Sequence, residues 1–105
     1  ANYSRWLISE AHERGLSIGQ KNAEELVPAM VDEFDWMLAE DAYVDNFYLE
    51  LEPYIAAGKA VFLVEYQDRI QQQRFRSDVC PQAARLGFYA LWKNRDLTNV
   101  SFTCN

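Results

Sequence analysis

Ala60-Val61-Phe62-Leu63-Val64 is an apolar run with no polar interruption. A run of strand length without alternation reads as a strand buried on both faces, the signature of a parallel sheet. It terminates in a carboxylate, Glu65, followed by Tyr66. Upstream, Phe34-Asp35-Trp36-Met37-Leu38-Ala39-Glu40-Asp41 repeats the pattern: a short apolar segment closed by two carboxylates. Two further strands are predicted. Leu16 to Gln20 delivers Lys21 and Asn22, and Phe88 to Trp92 delivers Lys93, Asn94, Arg95 and Asp96.

Helical patterns separate these strands. Tyr3, Trp6, Leu7 and Ala11 recur at helical spacing before Gly15, which predicts an amphipathic helix with a glycine stop. His12 beside that stripe reads as a surface or packing residue. Asn22 with Glu25 suits a capping box, and Pro28 divides the segment into a turn and a short helix near Met30. Phe47, Leu51, Tyr54 and Ile55 form one face of a helix from Asn46 to Ala57, in which Pro53 implies a kink or a late start. The polar segment Gln67 to Arg76 reads as an exposed loop or a poorly packed helix, and Asp78 can cap a short helix through Arg85. The order αβαβαβαβ predicts an α/β fold of four parallel βα units with right-handed crossovers. Four strands cannot close a barrel by themselves.

Composition narrows the class. The chain has 105 residues, half of them hydrophobic and 25% charged, which is ordinary for one globular domain. An eight-unit α/β barrel needs about 250 residues. The first residues, Ala1-Asn2-Tyr3-Ser4-Arg5, form no signal peptide, and no apolar run approaches a membrane span, so no membrane association is expected. The sequence reads as part of something longer. Its net charge of −6 is uneven: ten acidic and no basic residues lie from Glu24 to Glu52, and six basic residues face one acid from Arg69 to Arg95. An acidic middle disfavours nucleic acid and suits a neutral or cationic partner.

Cys80 and Cys104 lack metal-site spacing, and with one histidine no zinc constellation can be assembled. They are two buried thiols or one disulfide. The sequons Asn2-Tyr3-Ser4 and Asn99-Val100-Ser101 favour the disulfide, because both point to a secreted, extracellular glycoprotein.

In a parallel sheet the residues after each strand emerge on one edge, where ligands bind. Here they are Lys21 and Asn22, Glu40 and Asp41, Glu65 and Tyr66, and Lys93, Arg95 and Asp96. Two carboxylates across such an edge suit glycoside hydrolysis, in which one protonates the leaving oxygen and the other attacks the anomeric carbon or activates water. A nearby lysine can tune their protonation or bind a hydroxyl. Isolated glycines cradle no phosphate, no nucleophile elbow is present, and no cofactor is expected.

Gly15-Leu16-Ser17-Ile18-Gly19-Gln20-Lys21-Asn22, the Phe34-Asp35 strand ending in Glu40, Ala56 to Phe62 with Val64-Glu65-Tyr66, and Gly87 to Leu97 resemble, in that order, the endo-α-1,4-polygalactosaminidases, glycoside hydrolase family 114. The resemblance spans nearly the whole chain and includes a cysteine before and after the last strand. It implies half of a (β/α)8 TIM-like barrel, strands five to eight, acting on α-1,4-linked galactosamine polysaccharide. By the same resemblance Glu40 is a catalytic carboxylate in an acid/base role, and Lys21, Glu65, Tyr66 and Lys93 line the substrate groove. The second carboxylate, an aspartate on an earlier strand, is not in this chain, so the missing N-terminal half-barrel or a homodimer is the implied partner. Two departures stand out. The family often has Asn before the glutamate and Cys two residues after it, where this chain has Ala39 and Ala42. Other readings of the same residues are a non-catalytic carbohydrate-binding module and a flavodoxin-like interaction domain.

Overall fold

The apolar run at residues 60–64 forms most of β3 (Ala60–Tyr66) in a computed structural model of the protein, which describes residues 2–96 and 101–104, Asn2 by its backbone alone. β3 pairs in parallel with β2 (Trp36–Glu40) and with β4 (Tyr89–Lys93). β2 pairs in parallel with β1 (Gly19–Lys21). A sequential strand order with right-handed crossovers puts the connecting helices on one face of the sheet. A flavodoxin-like sheet reverses its order at a switch point, whereas the described strands follow one another in chain order from β1 to β4.

Burial follows the strand alternation. Met37, Ala39, Val61, Leu63, Ala90 and Trp92 lie in the core with residues from the helices. Their neighbours point the other way, and there Phe62 is 38% and Tyr89 53% exposed. The expectation that β3 is buried on both faces is therefore corrected. Only the helix-bearing face is covered, although the uninterrupted run carries apolar side chains to both. On the uncovered face Trp36, Phe62 and Tyr89 form an aromatic row, with ring centroids 6.1 and 5.5 Å apart. A Cβ on Gly19 would fall 2.1 Å from the Trp36 ring, so the indole lies directly against the β1 backbone.

The sheet is mostly parallel but has a fifth strand. β5 (Ser101–Thr103) pairs antiparallel with β4, and Phe102 packs edge-on against Phe75. Three residues are too few for an alternation to register in the sequence. Cys104 follows directly and is disulfide-bonded to Cys80, as expected, closing a separation of 24 residues. On loop-closure entropy such a link contributes roughly 3 kcal/mol.

The first strand is shorter than expected. Leu16 and Ser17 are exposed and outside the sheet. Ahead of the ladder, Asp35 receives the Ile18 N–H on its carboxylate at 2.7 Å and donates its own N–H to Ile18 O at 2.8 Å. His12 lies beside the same carboxylate, its Nε2 3.0 Å from Asp35 Oδ2. In α1 (Asn2–Glu13) the buried side chain is Ile8, while Tyr3 and Trp6 are exposed. α1 precedes the edge strand and has the sheet's neighbours on one side only.

Pro28 and Pro53 act as expected. Each sits at the start of a short helix, α2 (Val27–Met30) and α3 (Glu52–Ala56), after a 3₁₀ turn. A proline there loses no helical hydrogen bond. In the polar segment after Tyr66, turns at 67–69 give way to a helix from Gln72, so both of its expected states occur. α4 (Gln72–Arg74) runs through a π turn, Phe75–Val79, into α5 (Cys80–Leu86), because Phe75 and Val79 are buried. Pro81 offers no N–H to the carbonyl four residues back, which accounts for the π register before it. Asp78 makes no cap and pairs instead with Arg74 at 3.1 Å. Met30, Met37, Leu51 and Val61 are fully buried, each contributing about 1.5–3 kcal/mol by leaving water.

Candidate active site at the strand ends

Alternation along β2 places Glu40 on the uncovered face, at the opposite end from Trp36. The parallel ladder runs one residue past β1, where Asn22 N–H donates to Leu38 O at 2.8 Å. Asn22 and Ala23 then turn with φ of 55°, a left-handed conformation that asparagine tolerates better than most residues. The turn is held from below. Gln20, buried in β1, donates to the carbonyls of Asn22 and Ala23 at 3.0 and 2.8 Å and accepts the Tyr54 hydroxyl at 2.7 Å.

So fixed, Asn22 is a bracket for Glu40 and not the expected helix cap. Its Oδ1 receives the Glu40 N–H at 2.7 Å, and its Nδ2 donates to Glu40 Oε1 at 3.0 Å. Tyr66, on the same face of β3, donates its hydroxyl to Glu40 Oε2. Lys21 Nζ stands 3.6 Å from Oε1, with its side chain 65% exposed. The Tyr66 hydrogen bond, then that from Asn22, with help from Lys21, holds the Glu40 carboxyl below the usual glutamate range. Burial and the Glu40 charge push the Tyr66 phenol up to about 12. At rest the pair is a carboxylate receiving a hydrogen bond from a neutral phenol.

Of the residues expected at the site, Glu40, Lys21 and Tyr66 converge. Lys93 is paired in register with Tyr66 and lies on the same half-buried face. Glu65 does not join them. One residue from Tyr66 in a strand, it points to the helix side and is fully buried. There its oxygens accept the N–H groups of Tyr43 and Val44 at 3.1 and 3.3 Å. Burial pushes its carboxyl up to about 7, against the pull of those two N–H donors. The side chain of Asn2 and the whole of Asn99 lie outside the described residues.

A cluster of ion pairs rims the same edge and escaped the sequence reading. Asp41, at φ 60°, has Oδ2 3.4 Å from Arg69 and 3.3 Å from Arg95. Arg69 also pairs with Asp45 at 2.7 Å, and Arg95 with Asp68 at 3.1 Å. The Arg95 guanidinium lies 3.9 Å over the Tyr66 ring. The split between an acidic middle and a basic C-terminal third was the available signal. Partners so far apart in sequence cannot be matched without the sheet.

A mostly parallel α/β sheet thus gathers a polar, carboxylate-centred cluster at its strand ends, the edge where α/β domains hold their ligands. The chain matches the model of glycoside-hydrolase family GH114 over residues 1–105, and it belongs to that family. No curated protein matches it. Among solved structures it is similar to Aspergillus fumigatus Ega3 in complex with galactosamine, with 26% identity and a TM-score of 0.81 over 93% of this chain. The match spans 42% of that chain's length. The family resemblance read from the motifs is thereby borne out, and the chain is a glycoside hydrolase-like domain.

Proposed function

We propose that this domain supplies one wall of an active site that hydrolyses galactosamine-containing polysaccharide of the α-1,4-linked type, with Glu40 as one of its two catalytic carboxylates. The observation that carries the reading is the convergence of Asn22, Tyr66 and Lys21 on a carboxylate at the uncovered end of β2. Lys21 and Tyr66 contact substrate beside Glu40, and Lys93 extends the groove. Glu65 acts from behind, by holding the loop that follows Glu40. The acidic middle of the chain attracts the amines of a galactosamine polymer.

The remaining half of the site comes from outside these residues. Glycoside hydrolysis needs a carboxylate pair about 5–9.5 Å apart, and of the other carboxylates at the ends of β2 and β3, Glu65 is turned to the helix side and Asp41 is engaged by Arg69 and Arg95. The aromatic row of Trp36, Phe62 and Tyr89 leaves apolar surface in water, which supports a second half-barrel, or a second copy, covering that face. Glu40 rests as a carboxylate. The field of a second carboxylate raises its pKa toward the range an acid catalyst needs. The domain is catalytically incomplete alone. The disulfide supports secretion, with glycosylation at Asn2 and Asn99 as its companion modification.

The test is cleavage of polygalactosamine by the protein that carries this domain, with Glu40→Gln introduced. Loss of cleavage with folding intact is expected, and retained activity overturns the assignment. Calorimetric titration of the isolated domain with galactosamine oligomers should show weak binding and no hydrolysis.

A further inference from the structure

The ion-pair rim is not merely a solvated edge. Arg95 leaves the end of β4, and its guanidinium is gripped from two sides. Nε lies 3.2 and 3.1 Å from the two oxygens of Asp68, and NH2 lies 3.3 Å from Asp41 Oδ2. Held there, its plane covers the Tyr66 ring at 3.9 Å. The same ring carries the hydroxyl that donates to Glu40 Oε2. The phenolic oxygen lies on the axis of rotation about the bond to Cβ, so turning the ring leaves the oxygen in place but swings the ring plane, in which the O–H prefers to lie. A group packed on the ring face holds that plane and the side chain's position together. Arg95 covers one face of the Tyr66 ring, and the residue as a whole is 4% exposed.

We propose that Arg95 is a positioning residue for Glu40, acting through Tyr66, with Asp68 and Asp41 as the anchors that keep the guanidinium on the ring. The proposal rests on Glu40 being the reactive carboxylate of the domain. A cation over the ring withdraws electron density from the phenol and makes its hydroxyl the stronger donor. Anchoring by two carboxylates offsets the arginine's charge at longer range, so its influence on Glu40 runs through the ring. Asp41 follows Glu40 directly in the chain, so the backbone that presents Glu40 also carries one of the anchors.

The readout is the protonation midpoint of Glu40, followed by carbon NMR of carboxyl-labelled glutamate in this chain. It requires no catalysis, so it stands apart from the activity test of Glu40. In Arg95→Ala the Glu40 midpoint is expected to rise toward the ordinary glutamate range, with Arg95→Lys giving a partial return. Asp68→Asn, which leaves both arginine and tyrosine in place, is expected to give a smaller rise in the same direction. In a Tyr66→Phe background, Arg95→Ala is expected to add nothing, because its route to Glu40 has been removed. An unmoved midpoint in folded Arg95→Ala overturns the proposal. So does an equal rise with and without the Tyr66 hydroxyl, which makes the arginine a through-space charge only. If the midpoint responds as expected while Glu40→Gln leaves cleavage intact, the positioning stands and the catalytic assignment falls.

Discussion

Glu40 and Glu65 end adjacent parallel strands and are treated by the fold in opposite ways. Glu40 faces the uncovered side, accepts hydrogen bonds from Asn22 and Tyr66, and is held below the usual glutamate range. Glu65 faces the helices, is sealed from water, and is pushed up to about 7 although two backbone N–H groups point at it. The difference lies in solvation. Glu40 keeps water and gains donors, whereas Glu65 gains donors but loses all its water, and desolvation outweighs two neutral hydrogen bonds. A glutamate at a strand end is therefore a site residue or a structural latch according to the face it points to.

Four measurements test that contrast. The largest effect is on activity: Glu40→Gln in the protein carrying this domain should lower cleavage by roughly 10²–10⁴-fold or more, while its stability falls only by the roughly 1–2 kcal/mol that the hydrogen bonds to its charge contribute. A comparable loss from Glu65→Gln without unfolding would break the division of roles.

The second effect is on stability. The folded pKa of Glu65 is raised from 4.5 to about 7, so the folded state binds its proton more tightly than the unfolded chain. Its contribution is fully present below about pH 4.5 and is lost as pH rises through about 7, a fall of about 3 kcal/mol. Urea unfolding at the two ends of that window should show the decline in the wild type and lose it in Glu65→Gln. An identical decline in the variant would mean that other groups cause it. Glu40, Asp35 and Asp45 have lowered pKa values and work the other way, their stabilisation being lost as pH falls below the ordinary carboxylate range.

Tyr66→Phe should cost about 1–2 kcal/mol and move the Glu40 titration upward, since it removes a hydrogen bond to a charged acceptor. An unmoved titration would assign the lowered pKa to Asn22 and Lys21. The smallest effect belongs to His12→Ala. The His12 and Asp35 pair is exposed, and its loss should change stability by no more than about 0.5 kcal/mol. A larger loss would make this pair, and not the backbone bonds between Ile18 and Asp35, the anchor of the chain ahead of β1.

Much of this was legible from the chain alone. The apolar runs at 34–40 and 60–64 each place a strand, because burying apolar residues at that length leaves few other options. Gly15, Gly58 and Gly87 end or follow helices at φ between 71° and 79°, where a glycine is cheapest. The prolines mark helix starts, since only there is a missing N–H harmless. Glu40, Lys21 and Tyr66 come together because a parallel sheet gathers its strand ends on one edge, and the family motifs carry the same residues in register. What failed was what depends on facing. Continuous apolarity in β3 hides the phase of its alternation, so Glu65 and Tyr66 could not be sorted to their sides.

The chain alone carried the α/β class, the succession of strands and helices, the family and the candidate carboxylate, since periodicity, turn chemistry and motifs are read along the chain, whereas the order of the strands within the sheet came from the fold. The tertiary structure decided the rest. It assigned Asn22 to Glu40 instead of to a helix, sent Glu65 behind the sheet, added β5 on the edge of β4, and joined Arg95 to Tyr66. Each of these rests on side chains that are distant in sequence and meet only when the sheet forms. Their energies come from burial and hydrogen-bond geometry that no single stretch contains.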